Sequence, residues 1–340
     1  MRSLGPSNEG VLVLGSLNAK SQDRALERSA VRPVQLIIRG ETKPISFFDS
    51  WGTLGVSSLG WHPKNPTVLY VATGTELSKV DLKSKRTVEL GVPNLHDVHE
   101  LTVIGNTLWL ANTGLDEAVA FDITRERVVK RMSLTAISYA SSVAVHEAEA
   151  KDGEVEVIDK FHCNQIFGGF DGETYVLVHH VSGKQLIRRI GRKLIKNQGN
   201  GGVIGLSTGR VIPLGLKGPH SVEKVHGDYW VFDSGRAAIN IYDQRWTLQE
   251  TLSTRGWGRG ASFSEPLGFF YAGVSETRKR YLGVVGSKSR RAPNMVRVFS
   301  AKSREPVEDI ELSDIEQVNN VYVIPKETTQ ALLELESNTN

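Results

Sequence analysis

Cysteine is nearly absent from this 340-residue chain, with Cys163 the single example. One thiol excludes an intramolecular disulfide framework, and without a CxxC pair there is no zinc-finger spacing. A reducing, cytoplasmic setting is expected. Charge of one sign is lacking too, since 41 basic residues face 38 acidic ones for a net charge of +3. Binding a nucleic-acid backbone needs many uncompensated cations, so nucleic acid is not expected as a partner. Long apolar runs are missing: no window approaches the roughly 18 apolar residues of a membrane helix, and the stretch VLVLGSLN is too short for a signal peptide. No membrane role is expected. Sustained 3.6-residue periodicity is also scarce, which argues against a helical fold.

What the chain does contain is a series of short runs of Val, Ile, Leu and aromatic residues, each bounded by Gly, Asn, Asp or Ser. These are strand and turn signals. The runs group at a period of roughly 40 to 60 residues, which points to propeller blades rather than to a sandwich. Residues 97–134 form the clearest unit, as HELTVIGN, TLWLANT, EAVAFD and RVVKRMSL. Residues 219–252 follow the same grammar, and residues 162–216 repeat it with an extra segment between the second and third strands. Residues 55–91 and 259–312 read as two more units. The C-terminal DIEQVNNVYVIP supplies one further strand, and VLVLGSLN, VQLIIRG and PISFF supply three. Joined, they close the ring and remove the exposed edges of an open sheet. The expectation is all-β: a six-bladed β-propeller over residues 9–326, its closing blade built from both termini, with residues 1–8 and 327–340 as flexible ends.

The phrases DVHEL, FHCNQ, GPHSVEKVHGDYWVFDSGRAAINIYD, GWGRGASF and EQVNNVYVIP resemble the successive signature segments of an uncharacterised β-propeller family, one of the domains of unknown function. The resemblance runs roughly from residue 51 to 325, and the PHS…DSGR segment is its most specific part. It implies the fold and the blade count and supplies no reaction. The basic segment at 182–200 and the insertion NAKSQDRALERSAVR are less like the family pattern.

In a propeller the first strand of each blade lines the central channel, with alternate side chains pointing inward. His99, His162 and His220 each stand at the start of such a strand, in three successive blades. Three neutral imidazoles converging from one side offer fixed nitrogen ligands and open positions, which is what a divalent transition metal in an enzyme requires. Iron(II) is favoured, with copper, zinc or manganese open. Glu316 is a candidate fourth ligand or general base, and Arg259 a candidate group for orienting substrate. Asp97 and Asn164 are candidates to hold the histidines in place. His96, His146, His179, His180 and His226 are read as structural, and a propeller that repeats residues for packing alone would need no metal. DSGR at 233–236 lacks a G-x-S-x-G elbow and reads as a turn that positions Arg236.

Two long insertions, SGKQLIRRIGRKLIKNQGN and SETRKRYLGVVGSKSRRAPN, belong on the histidine face and carry Arg188, Arg189, Arg278 and Arg280. With Arg236 they are candidates to attract and bind a small anionic molecule. The leading expectation is thus a metal-dependent enzyme acting on a small, anionic organic substrate by oxidative or lyase-type chemistry. Two rivals stand beside it: a non-catalytic propeller that binds a protein or saccharide through its rim, and metal-free acid–base catalysis by the same histidines.

Overall fold

The computed structural model describes residues 10–16, 34–49, 51, 55–139, 158–182, 199–276, 293–313 and 315–337. They form six antiparallel four-stranded sheets, and the first strand of each sheet touches that of the next, so these strands line a central channel. In blade one the lining strand is Ser58–His62, in blade two Val98–Ile104 and in blade three Cys163–Gly168. In blade four it is Pro219–Val225, in blade five Trp257–Ser264 and in blade six Gln317–Ile324.

Burial grades outward within each blade and explains the alternating composition. In blade four the second and third strands, Asp228–Asp233 and Ala238–Tyr242, are almost wholly buried between sheets, whereas the outer strand Leu248–Ser253 is almost wholly exposed. Large aromatics fill the wedge between blades. Tyr229 stacks on Trp246 with ring centroids 4.1 Å apart, and Trp230 packs on Phe270 of the next blade at 4.7 Å.

Blade six joins the two ends of the chain. Its strand order runs from Gln317–Ile324 to Gly10–Ser16, Val34–Ile38 and Glu41–Pro44, with Leu12 opposite Tyr322 and Val13 opposite Val321. Leu12, Val13 and Leu14 are completely buried, so opening this seam would expose core surface and a strand edge together.

The expected flexible tail from residue 327 is corrected. Lys326–Ser337 is a helix whose Ala331, Leu332 and Leu335 enter the core shared by blades six and one. These residues share one helical face, a pattern too short to stand out among the polar residues around it. Thr328 Oγ1 donates to the Pro66 carbonyl, and Glu336 accepts from Ser46 Oγ at 2.9 Å and the Phe47 N–H at 3.2 Å, so the helix is tied to both blades. Residues 1–8 lie outside the described residues. Among the described residues no helix is long and apolar enough to cross a membrane.

Candidate functional site

Five of the six lining strands break register near their first residue. The shifts fall between Val98 and Leu101, Cys163 and Gln165, His220 and Val222, and Gly258 and Ala261; in blade six Asn319 is the extra residue. Blade one differs, with its shift at Trp61/His62. A β-bulge bends the strand and re-aims its side chains. Here it gathers His99, Glu100, Asn164, His220, Ser221 and Arg259 at one mouth of the channel.

Four imidazoles form a continuous row at that mouth. The His99 and His162 rings are 5.0 Å apart, His162 and His179 are 4.2 Å apart, and His179 and His220 are 5.2 Å apart. Trp257 closes the row, 5.7 Å from His220. The structure thus brings the three expected histidines into one band and adds His179, expected from the sequence to be structural. His179 follows the second strand of blade three, where its N–H donates to the His162 carbonyl at 3.2 Å. Its position opposite the start of a lining strand was the available signal.

His162 stands one residue ahead of its strand, in a left-handed conformation with φ of 55°. A buried carboxylate holds it there. Asp116 of blade two accepts the backbone N–H groups of Lys160, Phe161 and His162, the last two at 3.0 and 2.9 Å.

Hydrogen bonds assign the ring protons. His220 Nδ1 faces the Gly218 carbonyl at 3.0 Å, and a carbonyl only accepts, so Nδ1 carries hydrogen. Ser234 Oγ, also 3.0 Å away, accepts too, because its own hydrogen goes to the Gly258 carbonyl. His162 Nδ1 donates to Asp159 Oδ1 at 2.7 Å. His99 Nδ1 donates to Asn164 Oδ1 at 2.8 Å, and the Asn164 amide is fixed the right way round because its Nδ2 donates to the Pro219 carbonyl. In neutral His162 and His220 Nε2 therefore holds the lone pair. His99 Nε2 lies 3.2 Å from Asp97 Oδ2.

Electrostatics keep much of this row neutral. Burial pushes His179 and His220 well below the ordinary histidine range, reinforced by neighbouring imidazoles and, for His220, by the Arg259 guanidinium. His99 is lowered by burial, Arg259 and His162, against the pull of Asp97. For Asp97 burial acts upward, but the bond to His99 and the charges of His99, His162 and Arg259 outweigh it and hold the carboxyl low. More than half of that side chain, 56%, is exposed, so water damps the effect.

A carboxyl pair stands among the same lining strands. Glu100 accepts from Gln165 Nε2 at 2.7 Å, and Gln165 Oε1 is fixed by the Val222 N–H. Burial raises Glu100 well above the usual carboxyl range, helped by Glu223 and opposed by Arg259. Burial likewise pushes Glu223 up to about 8. Neither carboxyl stands out in the sequence, which shows no obvious acid and base pair.

The other expected residues are placed less centrally. Arg259 lies inside the blade-five bulge and acts electrostatically on His99, His220 and Glu100. Glu316 precedes the blade-six strand, and its N–H donates to the Ser16 carbonyl at 3.1 Å. Arg236 ends a short turn, Ser234–Arg236, as expected, and its guanidinium binds the buried Asp233 carboxylate and the Gly215 carbonyl. Arg188, Arg189, Arg278 and Arg280 lie outside the described residues. The chain leaves those residues at Ser182 and Glu276, both just after the second strand of a blade and so on the histidine face. Among the described residues no three His, Cys, Asp or Glu side chains are already gathered to hold a metal ion.

The profile of a family described as a domain of unknown function, DUF4915, matches residues 157–333, just over half of the 340 residues. The chain belongs to that family. No curated protein matches the sequence. Among solved structures, one from a nidogen/laminin complex is similar with a TM-score of 0.58 at 9% identity, over 93% of this chain and 99% of that one. A protein of unknown function from Bacteroides caccae gives 0.56 at 8% identity, over 94% and 99%. Virginiamycin B lyase from Staphylococcus aureus gives 0.46 at 12% identity, over 76% and 71%. The first two likenesses show the propeller fold and nothing about chemistry.

Proposed function

We propose that the histidine-lined mouth is the catalytic site of a metal-dependent enzyme acting on a small, anionic organic molecule. One observation carries this reading: His162 and His220, two of the three expected ligands, each have Nδ1–H held by a neighbouring acceptor, which leaves the Nε2 lone pair to coordinate, and His99 stands beside His162. Outer hydrogen bonds of this kind accompany metal-bound histidines in general and orient them toward the ion. Asp159 for His162, and Gly218 with Ser234 for His220, fill that role here. Imidazole donors suit Fe(II), Cu, Zn or Mn, and a three-histidine set leaves positions for substrate in oxidative or lyase-type chemistry. Arg259, in the same bulged tier, supplies the positive charge that draws an anion toward the ring nitrogens.

A second reading, metal-free acid–base catalysis, is favoured by the Asp159–His162 pair. A carboxylate that holds Nδ1–H leaves Nε2 to abstract a proton, and the His162 side chain is 25% exposed, enough to reach a ligand in the channel.

Elemental analysis of untagged protein purified without chelators separates the two. The metal reading expects about one equivalent of a transition metal, lost in alanine variants of the ligand histidines. Protein that carries no metal and binds none on addition of Fe(II), Mn(II) or Zn(II) would sink it and leave the acid–base reading in place.

A further inference from the structure

His179 has a nitrogen with nothing to do. Its Nε2 is shielded from solvent and has no hydrogen-bond partner among the described residues. Leaving a buried polar atom unsatisfied costs about 1–3 kcal/mol, and folded proteins tolerate few such atoms without a ligand, water or ion to explain them. The ring sits between those of His162 and His220, at 4.2 and 5.2 Å.

His99, by contrast, is engaged at both nitrogens, through Asn164 on Nδ1 and Asp97 on Nε2. His162 and His220 use Nδ1 for their outer contacts and keep the Nε2 lone pair.

We infer that His162, His179 and His220 are the set that takes up one divalent transition-metal ion, with His99 outside it as a neighbour held by Asp97 and Asn164. This rests on the metal reading and replaces one member of the ligand set expected from the sequence. Imidazoles sharing an ion at about 2.1 Å have ring centroids roughly 5 Å apart, close to the 4.2 and 5.2 Å that separate His179 from its two neighbours. Gathering the three Nε2 atoms takes ring rotation about χ2, a soft torsion in histidine. An all-imidazole set selects ions such as Fe(II), Co(II), Cu(II) and Zn(II) over Mg(II) or Ca(II), which prefer oxygen donors.

The test uses the full chain without a histidine tag, stripped of metal and titrated with Co(II) and Zn(II), read by calorimetry and by the visible spectrum of Co(II). Wild type is expected to bind about one Co(II) ion. His162→Asn, His179→Asn and His220→Asn should each weaken binding by about 100-fold or more, while His99→Asn stays within about threefold. His179→Phe, which removes the donor but keeps a ring, should match His179→Asn, and unfolding melts confirm that each variant is folded. Wild-type affinity in both His179 variants, with loss in His99→Asn, overturns the inference and leaves the metal reading standing on His99, His162 and His220. Failure of the wild type to bind either ion overturns the metal reading itself.

Discussion

In blades two and four the corner after the second strand is built from scaffold residues, whereas in blade three the same corner is built from imidazoles. Asn112 Oδ1 takes the His96 N–H at 2.7 Å, and Asp233 Oδ1 takes the Lys217 N–H at 2.8 Å. The glycines two residues on, Gly114 and Gly235, donate to the carbonyls of His96 and Lys217 at 2.9 and 2.8 Å. At Gly114 a Cβ would come within 2.3 Å of His96 Nδ1, so the corner requires glycine. Thr113 and Ser234 donate across to the Cys163 and Gly258 carbonyls of the following blade. Counted from the bulge, Asn112 and Asp233 correspond to His179, and Thr113 and Ser234 to His180. Blade three thus gives up amide, carboxylate and hydroxyl struts and places ring nitrogens where they stood. The blade repeat is thus abandoned at the proposed site, and the repeated pair His99 and His220 gains a different partner, His162 for the first and His179 for the second.

The comparison breaks most severely if the support of blade three is removed. Asp116→Ala leaves the N–H groups of Lys160, Phe161 and His162, the second of them buried, without their acceptor. A loss of about 2–4 kcal/mol is expected in urea unfolding, together with altered histidine ring signals in NMR. A loss under about 1 kcal/mol would mean that the turn carrying His162 is not held by blade two.

A smaller, paired test sets the struts of blades two and four against each other. Thr113→Ala and Ser234→Ala each remove a buried hydroxyl that ties one blade to the next, for about 1–2 kcal/mol apiece. Ser234 also accepts from His220, so only Ser234→Ala should disturb the His220 ring signals. If both variants leave those signals unchanged, the tautomer assignment for His220 loses one of its two supports and rests on the Gly218 carbonyl alone.

Glu223 offers a pH-dependent contrast to the histidines. Its folded value of about 8 lies above the ordinary unfolded value of about 4.3, so between them the folded state binds more protons. Stability from this group is present below about pH 4.3 and is lost as pH rises toward 8. Lys224 opposes the shift, and the Glu223 charge in turn acts on Glu100 and Tyr322 in the channel. Glu223→Gln should therefore gain stability over wild type progressively from pH 5 to 8 and match it near pH 4. A melting-temperature difference that stays constant with pH would show that Glu223 is solvated.

How much of this was legible in the sequence follows from which signals are local. The blade grammar was, because strand alternation and turn residues are written in consecutive positions, as TLWLAN and DYWVFD show. His99 and His220 were, because each opens a strand in a repeated phrase. His179 was not, since its proximity to His162 comes from strand pairing across a hairpin. Asp116 was not legible either: its contact with residues 160–162 bridges two blades across more than forty residues. Glu100 and Glu223 looked like ordinary surface carboxylates, and only the closure of the ring around them raises their proton affinity. The C-terminal helix escaped because three apolar residues on one face decide it once blades six and one supply a groove.

The smallest effect is the one that sharpens the comparison most. His179→Asn places at the blade-three corner the residue that blade two uses at the equivalent position, Asn112. In metal-free protein it removes a buried, unsatisfied ring nitrogen, and the shorter amide can reach backbone groups as Asn112 does. Unfolding stability is therefore expected to stay level or rise by up to about 1 kcal/mol, although the substitution deletes a half-buried ring. A functional residue behaves this way, because the fold tolerates its cost rather than depending on it. A scaffold residue behaves the other way. A loss of more than about 2 kcal/mol in metal-free His179→Asn would place His179 with Asn112 and Asp233 as part of the frame, and the contrast between blade three and its neighbours would disappear.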